Sequence, residues 1–257
     1  MIFDTHAHYD DEKFDEDRQE LLASMVPSGI GRIVNIGCDI QSSDESADLA
    51  DRYDFIYAAV GVHPSDTDQL NEESFAHIRE LTGRNKVVAV GEIGLDYYWE
   101  KDEEKKYHQR YWFRRQIDLA REVGLPIVIH SRQAAQDTMD IAKEERIGDI
   151  GGVVHCYSYS AEQAKEYLKM GLYLGIGGVL TYKNARVLKE VVQMAPLQSL
   201  VLETDCPYLT PEPNRGKRNS SLNIPYVVEA ISQIKGVSTE QVEAVTWDNA
   251  MRLYRMK

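Results

Sequence analysis

The chain has 257 residues, 43% of them hydrophobic and 28% charged, and a formal charge of −13 at pH 7. This composition belongs to a globular protein with a substantial core; it excludes long disorder, and no stretch is apolar over a membrane-spanning length. The acidic balance excludes a broad basic surface for gripping nucleic acid, so any phosphate-bearing substrate must be held locally, by bound cations or a small Arg/Lys cluster.

The chain opens directly into an apolar strand, Ile2-Phe3, leading to His6 and His8, with no basic and apolar leader before it. Leu21, Leu22 and Met25 mark a helix over Asp15 to Met25, stopped by Pro27-Ser28-Gly29. Arg32 to Gly37 reads as a second strand, and Ser42 with Glu45 forms a capping-box pattern for the next helix. Phe55 to Gly61 is a near-continuous apolar run, as in buried parallel strands, and leads into His63-Pro64. Asn71 to Thr82 is helical, and Lys86 to Glu92 is a fourth strand ending in a carboxylate. A long amphipathic helix covers Glu103 to Val123 and stops at Gly124. The fifth strand, Pro126 to His130, and the sixth, Gly152 to His155, both end in histidine. Leu172 to Ile176 is the seventh and Ser199 to Asp205 the eighth; helices follow over Ile224 to Ile234 and from the Ser238–Gln241 capping box to Tyr254.

Eight apolar strands alternating with helices, without a linker or composition break, predict an α/β chain: one (β/α)8 TIM barrel spanning 1–257, with extra C-terminal helices. An open doubly wound sheet is the alternative, but no Gly-rich phosphate fingerprint follows the first strand. Cys38, Cys156 and Cys206 are odd in number and widely spaced, which predicts a reducing, cytoplasmic setting and no disulfide framework.

His6, His8, Glu92, His130, His155 and Asp205 fall at or just past the carboxyl ends of strands one, four, five, six and eight. In a barrel those ends converge on one mouth, where active sites of this fold sit. Six imidazole and carboxylate ligands are too many for one tetrahedral ion and suit two divalent ions, Zn²⁺, Mn²⁺ or Mg²⁺, with Glu92 bridging. Such a pair would lower the pKa of a shared water to give a bridging hydroxide, and would stabilise charge growing on the attacked centre. Asp205 fits the group that orients that hydroxide and takes its proton, with ligation as its other role.

The segments Phe3–His8, Val60–Pro64, Gly91–Tyr98, Leu125–Arg132, Gly152–Ser158, Gly175–Ala185 and Glu203–Leu209 together resemble the TatD family of metal-dependent hydrolases, within the amidohydrolase-type barrels. The resemblance implies His6, His8, Glu92 and Asp205 around one ion, and Glu92, His130 and His155 around the other. It also implies phosphodiester hydrolysis in DNA, including 3′–5′ exonuclease activity. Ser65 stands where the family often has a second histidine, and Tyr157 and Tyr159 depart from its usual segment after the sixth strand; all three are expected to line the mouth.

Other residues receive roles from their positions. His63 is expected to contact substrate or support a ligand, with packing beside Pro64 as the alternative. Glu203, two residues before Asp205, is expected to point inward as a carboxylate behind the ligands. Arg215, Lys217, Arg218 and Asn219 form the most basic short cluster and follow the eighth strand, which predicts a phosphate clamp built on Arg215 and Arg218; a solvated loop is the alternative. Tyr97, Tyr98 and Trp99 could stack on a base or cover the rim. His77 and His108 receive no role.

Two activities share this chemistry: a deoxyribonuclease acting on DNA or another phosphodiester, and an amide or ester hydrolase acting on a lactone or aminoacyl ester. A barrel that binds metal without turnover is a third class, but none of its ligands is missing. No membrane and no obligate protein partner are indicated.

Overall fold

A computed structural model describes residues 1–256. The chain forms two compact units, Met1–Asn35 with Cys156–Lys257, and Ile36–His155. The divisions fall inside the strand–helix rhythm, which is why no linker marks them in the sequence.

In the first unit, strand β1 (Ile2–Ala7) is buried throughout and runs parallel to β2 (Ile30–Ile36), with Ile2 opposite Ile30 and Ala7 opposite Asn35. Helix α1 (Arg18–Ala23) joins them and is shorter than the expected Asp15–Met25, because short 3-10 turns flank it at Glu12–Phe14 and Val26–Ser28. The unit's later strands, β7 (Tyr173–Ile176) and β8 (Leu200–Leu202), are also parallel, with Leu174 opposite Leu200. Just past β8 the chain returns to β1: the Asp205 N–H donates to His6 O at 3.0 Å and the His8 N–H to Cys206 O at 2.9 Å. The final helix (Thr239–Leu253) packs behind these strands. Its Trp247 ring lies 5.6 Å from Phe3, Asn249 donates to Leu197 O and Leu200 O, and the Tyr254 hydroxyl that follows donates to Thr5 O.

One buried acid ties this unit together. Asp4 is fully buried and accepts from the Ser221 and Thr204 hydroxyls at 2.6 and 2.8 Å, and from the Thr204 and His6 N–H groups at 3.1 and 3.2 Å. Burial pushes its carboxyl up to about 7, even though the hydrogen bonds pull it down.

In the second unit, strands β3 (Ile56–Val60), β4 (Val87–Asp96), β5 (Ile127–Arg132) and β6 (Gly152–Val154) pair in parallel, with Ala59 opposite Ala89, Gly94 opposite His130 and Ile129 opposite Val154. Gly94 is required: its φ is 148°, and a Cβ there would meet His130 O at 1.9 Å. Helix α2 (Ile40–Arg52) is capped by Asp39, whose side chain accepts from the Ser42 N–H; Ser42 is the reciprocal partner, so the cap lies three residues before the expected one. Helix α3 (Glu72–Leu81) follows β3, and helix α4 (Glu103–Val123) has the expected bounds, set by the Asp102 cap and by Gly124 in the left-handed region. Its Gln109 and Gln116, two turns apart and buried, finish the backbone pairing of the neighbouring strands. Gln116 exchanges two hydrogen bonds with Val62 N–H and O, and Gln109 two with Asp96 N–H and O.

Taken in chain order, the eight strands succeed one another from β1 to β8 in a single parallel sheet, alternating with helices. This is the (β/α)8 barrel class expected from the sequence. Among the described residues, no helix is long and apolar enough to cross a membrane.

Gln116→Leu strips partners from two buried backbone groups and should destabilise the fold by about 2–4 kcal/mol, read as a lower urea midpoint at unchanged m-value. For Asp4, the folded state keeps its proton after the unfolded chain has released it. Its contribution is therefore full below about pH 4 and is lost as pH rises through about 7. The stability advantage of the parent over Asp4→Asn, measured by urea unfolding of metal-free protein, should shrink across that window by up to ~4 kcal/mol. A constant difference across it would show that Asp4 is ionised throughout.

Candidate metal centre

The first cluster is built at the end of β1. Alternation along an extended chain puts His6 and His8 on one side. Their Nε2 atoms face each other at 3.1 Å, and Asp205 Oδ1 lies 3.3 Å from His8 Nε2 and 3.7 Å from His6 Nε2. Donors bound at about 2.0–2.2 Å to one four- to six-coordinate ion stand roughly 3.0–3.5 Å apart, so this spacing fits a divalent cation. Two imidazoles with one carboxylate are also the donor set that Zn²⁺ and Mn²⁺ accept. His6 is buried, whereas the Asp205 side chain is about one-fifth exposed, at 21%, so the cluster opens to solvent at its carboxylate.

Asp205 does not arrive there as a strand residue. Strand β8 ends at Leu202, and Asp205 has a φ of 56°, in the left-handed region. Alternation therefore does not relate Glu203 to Asp205. Glu203 is nonetheless buried: its Oε1 accepts the Cys156 N–H at 2.6 Å, in space that exists because position 175 is glycine, where a Cβ would meet Glu203 Oε2 at 2.1 Å.

The second cluster is built from Glu92 within β4, His130 within β5 and His155 just past β6. His130 Nδ1 is 2.6 Å from Glu92 Oε1, and His155 Nε2 is 3.7 Å from the same oxygen. The His130 and His155 rings stack at 6.4 Å, and His63 packs edge-on against His130 at 4.3 Å. His63, Glu92 and His130 bring donor atoms within 4.8 Å of one another. Cys38 Sγ is 3.8 Å from Glu92 Oε2, a contact the sequence did not point to.

Asp96 is the functional residue that sequence reasoning missed. It lies four residues beyond Glu92 on the same face of β4, is buried, and its Oδ2 is 3.2 Å from His130 Nε2. The two carboxylates hold the His130 ring between them, Glu92 at Nδ1 and Asp96 at Nε2, so an ion binding at Nδ1 would leave Nε2–H donated to Asp96. Burial alone would lower the His130 imidazole, but Glu92 and Asp96 outweigh it and hold it above the usual histidine value. The signal was available in the spacing Glu92-x-Gly94-x-Asp96, had the strand been extended past Glu92. His63 Nδ1 accepts the Ser65 N–H at 3.1 Å, so in its neutral form the ring carries its proton on Nε2 and offers a donor.

Several expected mouth contacts are engaged elsewhere. Arg218 pairs through both terminal nitrogens with Asp17, donates to Lys13 O and lies over Phe14, so it braces its loop and does not stand ready as a phosphate clamp. Asn219 is buried and donates to Thr204 O and Tyr208 O, tying the loop to the segment carrying Asp205. Arg215 is exposed and stacks over Tyr182 at 4.2 Å. The Tyr97 hydroxyl donates to Asp137 and accepts from Arg110, which turns it away from a stacking role. Tyr157 is a core residue, 2% exposed, donating to Ser160 O with Tyr159 edge-on against it. Tyr98 and Trp99 are the exposed aromatics after β4, and Arg132 lies over the Tyr98 ring at 4.0 Å.

Comparison with known proteins matches this arrangement to a family. The family described as TatD related DNase matches residues 3–255. The chain is 46% identical over 256 residues to the uncharacterized metal-dependent hydrolase YabD of Bacillus subtilis (strain 168), covering 100% of both chains. It is 32% identical over 258 residues to the 3′-5′ ssDNA/RNA exonuclease TatD of Cronobacter sakazakii, covering 98% of this chain and 97% of that protein. Among solved structures, the TatD homologue YJJV of Escherichia coli K12 superposes with a TM-score of 0.92 at 28% identity, covering 100% of this chain and 98% of that one. A chain matched from end to end in sequence and fold, with its histidines and carboxylates gathered at strand ends, belongs to the TatD-related DNase family of metal-dependent hydrolases.

Proposed function

We propose that this chain is a nuclease that removes nucleotides stepwise from the 3′ end of single-stranded nucleic acid, using two divalent ions. The observation that carries this reading is the convergence of His6, His8 and Asp205 donors at 3.1–3.7 Å, the spacing of ligands around one cation. The second ion is assigned to Glu92, His130 and His155. The relative named as an ssDNA/RNA exonuclease supports the substrate class. The mixed imidazole and carboxylate donors suit Zn²⁺, Mn²⁺ or Mg²⁺. The three widely spaced cysteines support a reducing, cytoplasmic setting.

Bound ions would supply the positive charge that acidifies a water and stabilises the oxyanion at phosphorus. The chain's own residues do the rest. Asp205 faces the two imidazoles through Oδ1, and its Oδ2 takes the proton of the attacking water. Asp96 accepts the Nε2–H of His130. His63 donates Nε2–H to a phosphate oxygen, and Arg215, with the exposed Lys217, supplies the basic loop's charge for the strand's backbone. Because the chain is so acidic overall, phosphate affinity should collapse when the ions are removed.

Metal analysis tests the assignment directly. His8→Ala and His130→Ala should each lower the metal content from two ions per chain toward one, measured by elemental analysis after gel filtration. For activity, metal-stripped protein is reloaded separately with Mg²⁺, Mn²⁺ or Zn²⁺ and given end-labelled single-stranded DNA and an activated carboxyl ester. Stepwise shortening from the 3′ end is expected, falling by roughly 10²–10⁴-fold in Glu92→Ala. Ester cleavage with intact DNA would overturn the nuclease reading in favour of acyl substrates.

A further inference from the structure

We propose that the cleft beside Asp96 is a subsite for the terminal nucleobase of a single strand, with Trp99 as its stacking wall; this rests on the nuclease reading above. The cleft lies wholly within residues 36–155 and has a volume of about 120 Å³. Ser65 and Asp68 come from the turn after β3, Trp99 and Glu100 from the loop after β4, Lys105 from α4, and Asp96 from the end of β4. That volume admits one ring-sized group and is well below the roughly 300–1,000 Å³ of pockets for larger ligands.

Trp99 is 72% exposed, yet it is braced. Tyr98 meets it edge-on at 4.5 Å and 88°, and the Arg132 guanidinium covers Tyr98 at 4.0 Å and lies 5.8 Å from Trp99. An indole held in place and presented to solvent is a stacking surface, as in single-strand binders. The charge of the lining decides what stacks there. Asp68, Asp96 and Glu100 repel phosphate and accept N–H donors. Lys105, 3.6 Å from Glu100 and 3.9 Å from Asp68, offsets them only in part. A neutral heterocycle edged with N–H groups fits, and a nucleotide's phosphate does not. Adenine, cytosine and guanine carry an exocyclic amine, whereas thymine offers one N–H between two carbonyl oxygens that the carboxylates disfavour. Asp96 also touches His130 Nε2 at 3.2 Å, so the cleft adjoins the cluster assigned to the second ion. A base seated there leaves its phosphodiester next to that cluster.

The test compares oligonucleotides identical except at the 3′-terminal nucleotide, which is dA, dC, dT or an abasic residue. Trp99→Ala should raise KM for dA and dC ends roughly ten-fold with little change in kcat, leave the abasic end unaffected, and be largely rescued by Trp99→Phe. Asp68→Asn with Glu100→Gln should abolish discrimination between dC and dT. Equal KM for Trp99→Ala and parent on every end, or an equal loss on the abasic end, would overturn the proposal. A binding arm requires no hydrolysis: deoxyadenosine should quench the parent's tryptophan fluorescence, thymidine should quench it less, and neither should quench Trp99→Phe. Absence of any quench in the parent overturns the subsite. Loss of all phosphodiester cleavage with the quench intact would refute the nuclease reading and leave the base subsite standing.

Discussion

The carboxyl group of Asp4 is the constraint on which the first unit depends. It is buried, and it is tolerated because two hydroxyls and two backbone N–H groups converge on it. Those partners come from the strand that carries His6, from Thr204 beside Asp205, and from Ser221 beyond the basic loop. One side chain therefore sets the register between residues about two hundred positions apart. A buried acid with a raised pKa costs stability near neutral pH. What it returns is position: the imidazoles and Asp205 meet at ligand spacing because the segments that bear them are locked to the same carboxylate.

The second unit solves the same problem with neutral groups and a relay. Gln109 and Gln116 satisfy the backbone where β4 ends and just beyond β3, where parallel pairing runs out. Strand β4 can then carry both Glu92 and Asp96 on one face, one toward each nitrogen of His130. The histidine is thereby oriented by a carboxylate at each ring nitrogen, which a lone imidazole could not achieve.

Charge is partitioned in a way the net value conceals. The chain is strongly acidic, and much of its Arg complement is paired with acids, as Arg218 is with Asp17 and Arg84 with Asp48 and Asp51. In the proposed function, positive charge for phosphate is concentrated at the ions, while the neighbouring carboxylate-lined cleft favours the base. A broad basic surface is unnecessary when the two parts of a nucleotide are sorted at so short a range.

Local chemistry was readable in the sequence. Short, near-continuous apolar runs marked the strands, and Gly124 marked the end of α4, because such patterns depend on residues a few positions apart. That His6, His8, Glu92, His130 and His155 lie on or just past the strands was legible at that level, although Glu92 sits within β4 and not at its end. Tertiary structure alone decided that β4 reaches Asp96, that Asp205 enters through a left-handed turn, that Tyr157 is core, and that Arg218 belongs to Asp17. The reason is distance along the chain. The partners of a long polar side chain are set by which remote segments the fold brings within about 3 Å, and no local pattern encodes that.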